Sequence, residues 1–242
     1  MDKRIYAQIF VISVLSFMFT SCADLFGIKG SGEIVTETRS VSDFKSIDLL
    51  TSADVEIVKG DSFKVEVSDY ENIVQHLSLK VVAHNLVVSV SPITTVLINS
   101  KAKVMITMPD SLSSVSIAGS GDVTLNSAFK DLELFIITGS GNINAVKDIA
   151  IKKMTASILG SGSITAKGNV ETLTTLISGS GNINFSNLVS KTADCTTTGS
   201  GNTYVNATNT LKANITGSGN IEYSGSPAIT SNISGSGVVK PN

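Results

Sequence analysis

The chain has 242 residues, of which 42% are hydrophobic and 16% are charged, and its formal net charge is −2. This composition is typical of one or two folded domains and argues against a disordered chain. Arg4 and Arg39 are the two arginines and no basic run occurs, so the sequence argues against nucleic-acid binding. Abundant Ser, Thr, Asn, Val and Ile, with no Trp, favour strands and turns over helices.

Residues 1–21 predict an export signal. "MDKR" supplies a positively charged start, and the apolar run "IYAQIFVISVLSFMFT" is short for a membrane span. "FTSC" then places small residues before Cys22 and resembles the lipobox of bacterial lipoproteins. We therefore predict that Cys22 is acylated and that residues 22–29 form a short tether to the membrane. A disulfide with Cys195, the other cysteine, is the alternative.

Residues 30–110 predict an irregular, strand-rich unit that contains a degenerate copy of a later repeat. "SIDLLTSADVEI" (46–57) aligns with "SVSIAGSGDVTL" (114–125) without a gap, and Leu49, Asp54 and Val55 match Ile117, Asp122 and Val123. Thr51 and Ala53 replace two glycines of the later copy, so we expect a wider corner in this coil.

Two further stretches of the same unit predict local structure. "DYENIVQHL" predicts a short helix, and "LKVVAHNLVVSV" predicts a hairpin that turns near His84 and Asn85. His76 and His84 lie eight residues apart without a cysteine or an acid at ligand spacing. We therefore predict ordinary surface or hairpin histidines and no metal site.

Residues 111–242 repeat the phrase G-S-G, at intervals of 20, 21, 19, 20, 18 and 18 residues from Gly119 onward. A fixed period near 20 residues indicates a repeat architecture. β-Branched residues recur two positions before and four positions after the first glycine of each unit. Because one unit cannot bury this face alone, the units must stack. The sequence predicts an all-β fold, a right-handed parallel β-helix (β-solenoid) of about 20-residue coils.

The two glycines of each phrase lie an even number of residues from these β-branched positions, so they fall on the same, inward side of the strand. We expect them at a corner that has no room for a Cβ atom or that needs a positive φ. The intervening serine then points outward. Beside it runs a polar column in which stacked amides are expected to form a hydrogen-bonded structural ladder. The asparagines of this ladder are Asn142, Asn182, Asn202 and Asn220.

No motif for catalysis, a cofactor or a metal emerges. G-S-G lacks the third glycine and the helix of a dinucleotide fingerprint, and calcium-binding repeats need more acids than Asp122 alone. Cys195 falls in an inward column and is predicted to be a buried side chain. Polysaccharide-cleaving β-helices need acids that converge from adjacent coils. Asp131 and Glu133 share a strand face, but the other acids after Gly119 scatter.

These features resemble the head GIN domain family of putative auto-transporter adhesins. The resemblance rests on "GSGEIVTETRSVSDFKSIDL" and on the recurring "GSGNI" and "GSGDV", and it spans about residues 29–239. It implies an exported β-helical protein of Gram-negative bacteria, often lipoprotein-like, and offers no catalytic motif.

The sequence therefore predicts a non-catalytic lipoprotein of the outer membrane, facing either the cell surface or the periplasm. A repetitive face of Ser, Thr and Asn is expected to bind glycan or protein partners. The alternative is a polysaccharide-active β-helix enzyme, with Asp131 and Glu133 as the acids to test. Oligomeric state and ligand identity are open at this point.

Overall fold

The computed structural model describes residues 27–92 and 95–242, so the predicted signal, Cys22 and most of the tether lie outside the described residues. The protein is all-β, with 65% strand and 2% helix, and parallel coils stack into a β-solenoid of about six turns. The predicted fold class is confirmed. Within the described ranges, no helix has the length and apolar character needed to cross a membrane.

Over residues 27–92 and 95–110, the structure describes nine strands and one short helix. They are β1 (Gly27–Lys29), β2 (Ile34–Arg39), β3 (Ser46–Leu49), β4 (Asp54–Lys59), β5 (Lys64–Tyr70), α1 (Glu71–Val74), β6 (Leu77–Val82), β7 (Asn85–Val90), β8 (Val96–Ile98) and β9 (Lys103–Met108). The predicted hairpin is confirmed, since β6 and β7 pair antiparallel. Its two turn residues, Ala83 and His84, both have a positive φ. The predicted short helix corresponds to α1.

The repeats form ten strands, several of which run through a corner of the coil without a break. They are β10 (Ser114–Ile117), β11 (Val123–Leu125), β12 (Leu134–Ile137), β13 (Ile143–Ile158), β14 (Ser163–Gly179), β15 (Asn182–Gly199), β16 (Thr203–Gly217), β17 (Ile221–Ser224), β18 (Ala228–Gly235) and β19 (Val239–Pro241). Equivalent residues of successive coils are register partners, as Ile158 and Ile177 show. This parallel pairing is what the repeat predicted.

The order of the coils in space differs from their order along the chain. β3 and β4 form one coil, and β10 and β11 stack on one side of it in the register that the sequence alignment predicted. On its other side lie β7 and β9, which come later than β3 and β4 in the chain. Antiparallel strands then extend the stack, β6 beside β7 and β5 beside β9. The coil of β3 and β4 therefore comes first along the chain but lies between two other coils in the stack. The chain forms β7 and β9 on one side of it and then passes to its other side, where the regular repeat begins.

A single hydrophobic cluster runs through the stack from Phe44 to Ile221. The predicted inward columns are buried in the central coils, where Ile137, Ile158 and Ile177 have no exposed surface. In one coil both flanking columns carry threonine instead, and the Oγ1 atoms of Thr197 and Thr203 lie 3.3 Å apart. Both residues are fully buried, so each hydroxyl supplies the partner that the other needs.

The paired glycines are needed because successive coils approach closely at their corner. A Cβ atom on Gly141 would overlap the carbonyl oxygen of Gly121 in the preceding coil. The corner has no room for a Cβ atom, as expected, and the blocked direction runs along the stack. Gly199 also has a φ of +120°, a conformation that other residues rarely adopt.

The coil of β3 and β4, which comes first along the chain and is called the first coil below, escapes this restriction because no G-S-G corner lies beneath Thr51 and Ala53. β7 ends at Val90, and the chain then leaves the stack to form β8, which pairs with β1 in a separate two-stranded sheet. A concavity takes the place of the missing corner. The structure thus explains why side chains are tolerated in this one coil.

Candidate binding surfaces

The serines of the seven regular G-S-G phrases form an exposed ridge along the solenoid, which we call the serine ridge. Because parallel strands lie about 4.8 Å apart, the ridge repeats a hydroxyl at about that spacing. Within the described residues, none of these hydroxyls makes a hydrogen bond to the protein, so all are available to a ligand. The serine ridge consists of Ser120, Ser140, Ser161, Ser180, Ser200, Ser218 and Ser236.

A second hydroxyl column runs beside the serine ridge, one residue before each first glycine. It is exposed, uncharged and interrupted by Leu159. The ridge and this column together present small polar side chains without a net charge. The hydroxyl-bearing members of the second column are Thr138, Ser178, Thr198, Thr216 and Ser234.

The asparagine column makes its hydrogen bonds within the protein. The Asn202 side-chain oxygen accepts from the Asn220 backbone N–H at 3.1 Å and from its side-chain amide at 3.2 Å. Asn182 accepts in the same way from Asn202. Asp122 begins a second run by accepting from Asn142. These groups join successive coils, which leaves less of their hydrogen-bonding capacity for a ligand than the serine ridge offers.

The corner between the two main strands of each coil varies in length, and we call it the variable corner. It has eight residues at 146–153 but five at 206–210. A groove of about 820 Å³ runs along it across several coils. Its lining includes the partly or fully buried Ile151, Val170 and Val189. Its charged residues are Lys130, Lys152, Lys153, Lys191, Asp131, Glu133 and Glu171.

Four of the seven acids after Gly119 are engaged by a lysine of the next coil. Glu171 lies 3.1 Å from the Lys191 ammonium. The other pairs are Asp148 with Lys167 at 3.6 Å, Asp194 with Lys212 at 3.1 Å, and Glu222 with Lys240 at 3.2 Å. Acid and lysine are 18 to 20 residues apart in every pair, which is the period of the repeat. The sequence carried this signal, but a search for acids recurring at one position does not detect it.

Asp131 and Glu133, the two acids that the sequence offered for catalysis, are exposed at one end of the groove. Glu171 is the third carboxylate of the groove, and its partner is Lys191. Among the described residues, no group of three or more His, Cys, Asp or Glu side chains is arranged to hold a metal ion. The groove therefore presents a surface of mixed charge.

The remaining candidates from the sequence have structural contacts. Cys195 is fully buried as predicted, and burial raises the pKa of its thiol to about 12, with a smaller contribution from the Asp194 charge. The Nδ1 atom of His84 lies 2.9 Å from the backbone oxygen of Asp43, and that of His76 lies 3.2 Å from the backbone oxygen of Ser91. Cys22 lies outside the described residues.

The repeats and the coils that precede them match a known family. A family model described as "putative auto-transporter adhesin, head GIN domain" matches residues 43–227. The chain belongs to this family. Its description as an adhesin suggests an exported protein of the cell surface.

Solved structures of similar fold support the assignment of this head GIN domain protein. A "putative adhesin" from Bacteroides fragilis is 26% identical, with a TM-score of 0.81 over 89% of this chain and 100% of its own. A "putative lipid binding protein" from Parabacteroides distasonis is 27% identical, with a TM-score of 0.76 over 89% and 99%. A "putative adhesin" from the latter species is 25% identical, with a TM-score of 0.70 over 89% and 100%. None of the curated proteins matches the chain.

Proposed function

We propose that this head GIN domain protein is a non-catalytic lipoprotein of the outer membrane that binds glycans through its serine ridge. The acylated Cys22 holds the protein at the membrane, and the solenoid presents the ridge to the partner. The observation that carries the proposal is that the hydroxyls of the ridge are exposed and make no hydrogen bond to the described residues of the protein.

A repeated row of hydroxyls fits a partner that is itself repetitive and rich in hydroxyl groups. Each serine stands between two glycines, so no neighbouring side chain of its own coil shields the hydroxyl. The ridge is uncharged, and its hydroxyls both donate and accept hydrogen bonds. A polysaccharide chain offers the matching groups at regular intervals along its length. Many weak contacts along one rod then add up to stable binding.

The carboxylates favour binding over hydrolysis. Glycoside hydrolysis uses two carboxyl groups that flank the scissile bond. In the solenoid, Asp148, Glu171, Asp194 and Glu222 are each engaged by a lysine. Asp131 and Glu133 sit at one end of the groove on an exposed surface. Such an exposed surface lacks the enclosure that tunes a general acid in an active site.

The test is retention of the purified domain on a panel of immobilised polysaccharides, with simultaneous measurement of new reducing or unsaturated ends. We expect retention without product. The triple variant Ser161→Ala, Ser180→Ala and Ser200→Ala should lose retention while its unfolding midpoint stays unchanged. A variant with Lys152→Ala and Lys153→Ala in the groove is the matched control and should be retained like the wild type.

Each other outcome overturns one part of the proposal. If only the groove variant loses retention, the groove is the binding site and the ridge is not. Product formation that disappears with Asp131→Asn or Glu133→Gln would make the protein an enzyme. Failure to bind any polysaccharide would reject the glycan class and favour a protein partner.

A further inference from the structure

The concavity beneath Thr51 differs in chemistry from the other concavities of the protein. It has a volume of about 270 Å³ and lies between the first coil and the strand β8. Leu50 and Val96 on its wall are 45% and 52% exposed. Among the residues that the structure describes, the side chains that line it carry no ionisable group, namely Leu50, Thr51, Ser52, Ser89, Val90, Thr95, Val96 and Leu97.

Three other concavities on the described surface all carry charge. The groove of the variable corner has four lysines and three acids. A second lies over the sheet of the first coils and includes Asp54, Glu56 and Lys103. A third is lined by Lys59 and Asp110, among others. The concavity beneath Thr51 is thus the uncharged one of these four.

The position of this patch relative to Cys22 indicates that partner. β1 begins at Gly27, whose register partner in β8 is Val96. Adjacent strands are about 4.8 Å apart, so the start of the described chain lies beside the patch. Only five residue steps separate Cys22 from Gly27. Even when fully extended, they span at most about 18 Å.

We propose that the N-terminal part of the stack, which carries Leu50 and Val96, lies against the lipid surface of the membrane that holds Cys22. This inference rests on the proposed acylation. The short tether brings the uncharged patch to the membrane, where Leu50 and Val96 contact lipid and no charged side chain of the patch has to lose its hydration. The solenoid of about six turns then extends roughly 29 Å away from the bilayer. The serine ridge projects outward with it.

Depth-dependent fluorescence quenching tests this orientation. Full-length acylated protein is reconstituted in phosphatidylethanolamine and phosphatidylglycerol vesicles whose acyl chains carry a nitroxide quencher. The probe is attached to Val96→Cys, and the matched control is Val238→Cys, a valine of similar exposure (45%) in the last coil. Labelling is selective because Cys195 is buried and Cys22 is blocked by its acyl chains. We expect the label at position 96 to be quenched and the label at position 238 to keep its emission.

The possible failures are distinguishable. If the protein floats with the vesicles but neither label is quenched, the anchor is correct and the proposed contact is wrong. If both labels are quenched, the solenoid lies flat on the membrane and the orientation is wrong. If the protein does not float, the acylation in the proposed function fails, and the orientation fails with it.

Discussion

The two kinds of corner in this solenoid respond to opposite constraints. At the G-S-G corner, every coil from Gly119 onward keeps the same three residues, because the backbone of the preceding coil leaves no space for a Cβ atom. At the variable corner, the length ranges from five to eight residues, and the surface is charged.

The difference separates what the fold requires from what it tolerates. A repeat protein needs close contact between neighbouring coils, and the glycines provide that contact at one corner. Loops at the surface tolerate insertions, because their backbone groups can bond to water. The presence of G-S-G therefore indicates that a coil stacks closely on the preceding coil. The length of the variable corner affects only the shape of the groove that runs along it.

Substitution of a corner glycine should have the largest effect. Gly141→Ala places a Cβ atom against the carbonyl oxygen of Gly121, so the coils must separate. We expect a loss of at least about 3 kcal/mol in the free energy of unfolding, measured by chemical denaturation. The control is Ala53→Gly at the equivalent position of the first coil, which should cost only about 1 kcal/mol. Equal losses at the two sites would contradict the stacking explanation.

The inward columns beside the corner should show a strong dependence on position. Ile177→Ala removes a fully buried side chain in a central coil and should cost roughly 2–5 kcal/mol. Ile233→Ala, in the same column near the end of the stack, should cost much less because Ile233 is 43% exposed. Urea midpoints of the two variants provide the comparison. A cost at Ile233 as large as that at Ile177 would be incompatible with nearest-neighbour support.

The threonine pair that flanks one corner should behave as a unit. Thr197→Val or Thr203→Val alone leaves one buried hydroxyl without its partner, so each should destabilise by about 1–3 kcal/mol. The double variant restores an apolar pair like those of the neighbouring coils and should cost less than the sum of the single changes. A double-mutant cycle measures this coupling. Additive losses would mean that the two hydroxyls do not depend on each other.

Cys195 lies in the strand that leads into the same corner. It should make the free energy of unfolding decrease at alkaline pH. Its pKa is raised from 9.0 to about 12 in the folded state, so the folded protein keeps a proton that the unfolded chain releases. Stability is therefore unaffected by this group below pH 9 and falls by up to about 1.4 kcal/mol per pH unit between pH 9 and 12. Cys195→Ala should flatten this part of the profile. An unchanged slope in the variant would assign the pH dependence to other groups.

An insertion at the variable corner should have the smallest effect. One additional glycine after Lys147, which is exposed in the longest of these corners, should change the free energy of unfolding by less than about 1 kcal/mol. The same insertion between Ser140 and Gly141 serves as the contrast and should disrupt the stack. If the two insertions are equally harmful, the two corners do not differ as proposed.

The repeat could be found from sequence because its signals are local and periodic. Inward isoleucines, corner glycines and the asparagine column all recur at one spacing, and parallel stacking places residues of equal phase side by side. The coil-to-coil ion pairs are not predicted from the sequence, because acid and lysine occupy equivalent positions only after the coils are superimposed. Glu171 and Lys191, 20 residues apart, look unrelated in a linear reading.

The sequence by itself determined the fold class, the period of the solenoid and the register of 46–57 against 114–125, since each follows from residue type at fixed spacing. Tertiary structure decided the order of the coils, in which β7 and β9 lie on the far side of β3 and β4 from the repeats. It also decided the position of the uncharged patch around Leu50 and Val96, two residues 46 positions apart. These features depend on where the chain leaves and rejoins the stack, and contacts between segments distant in sequence specify that path.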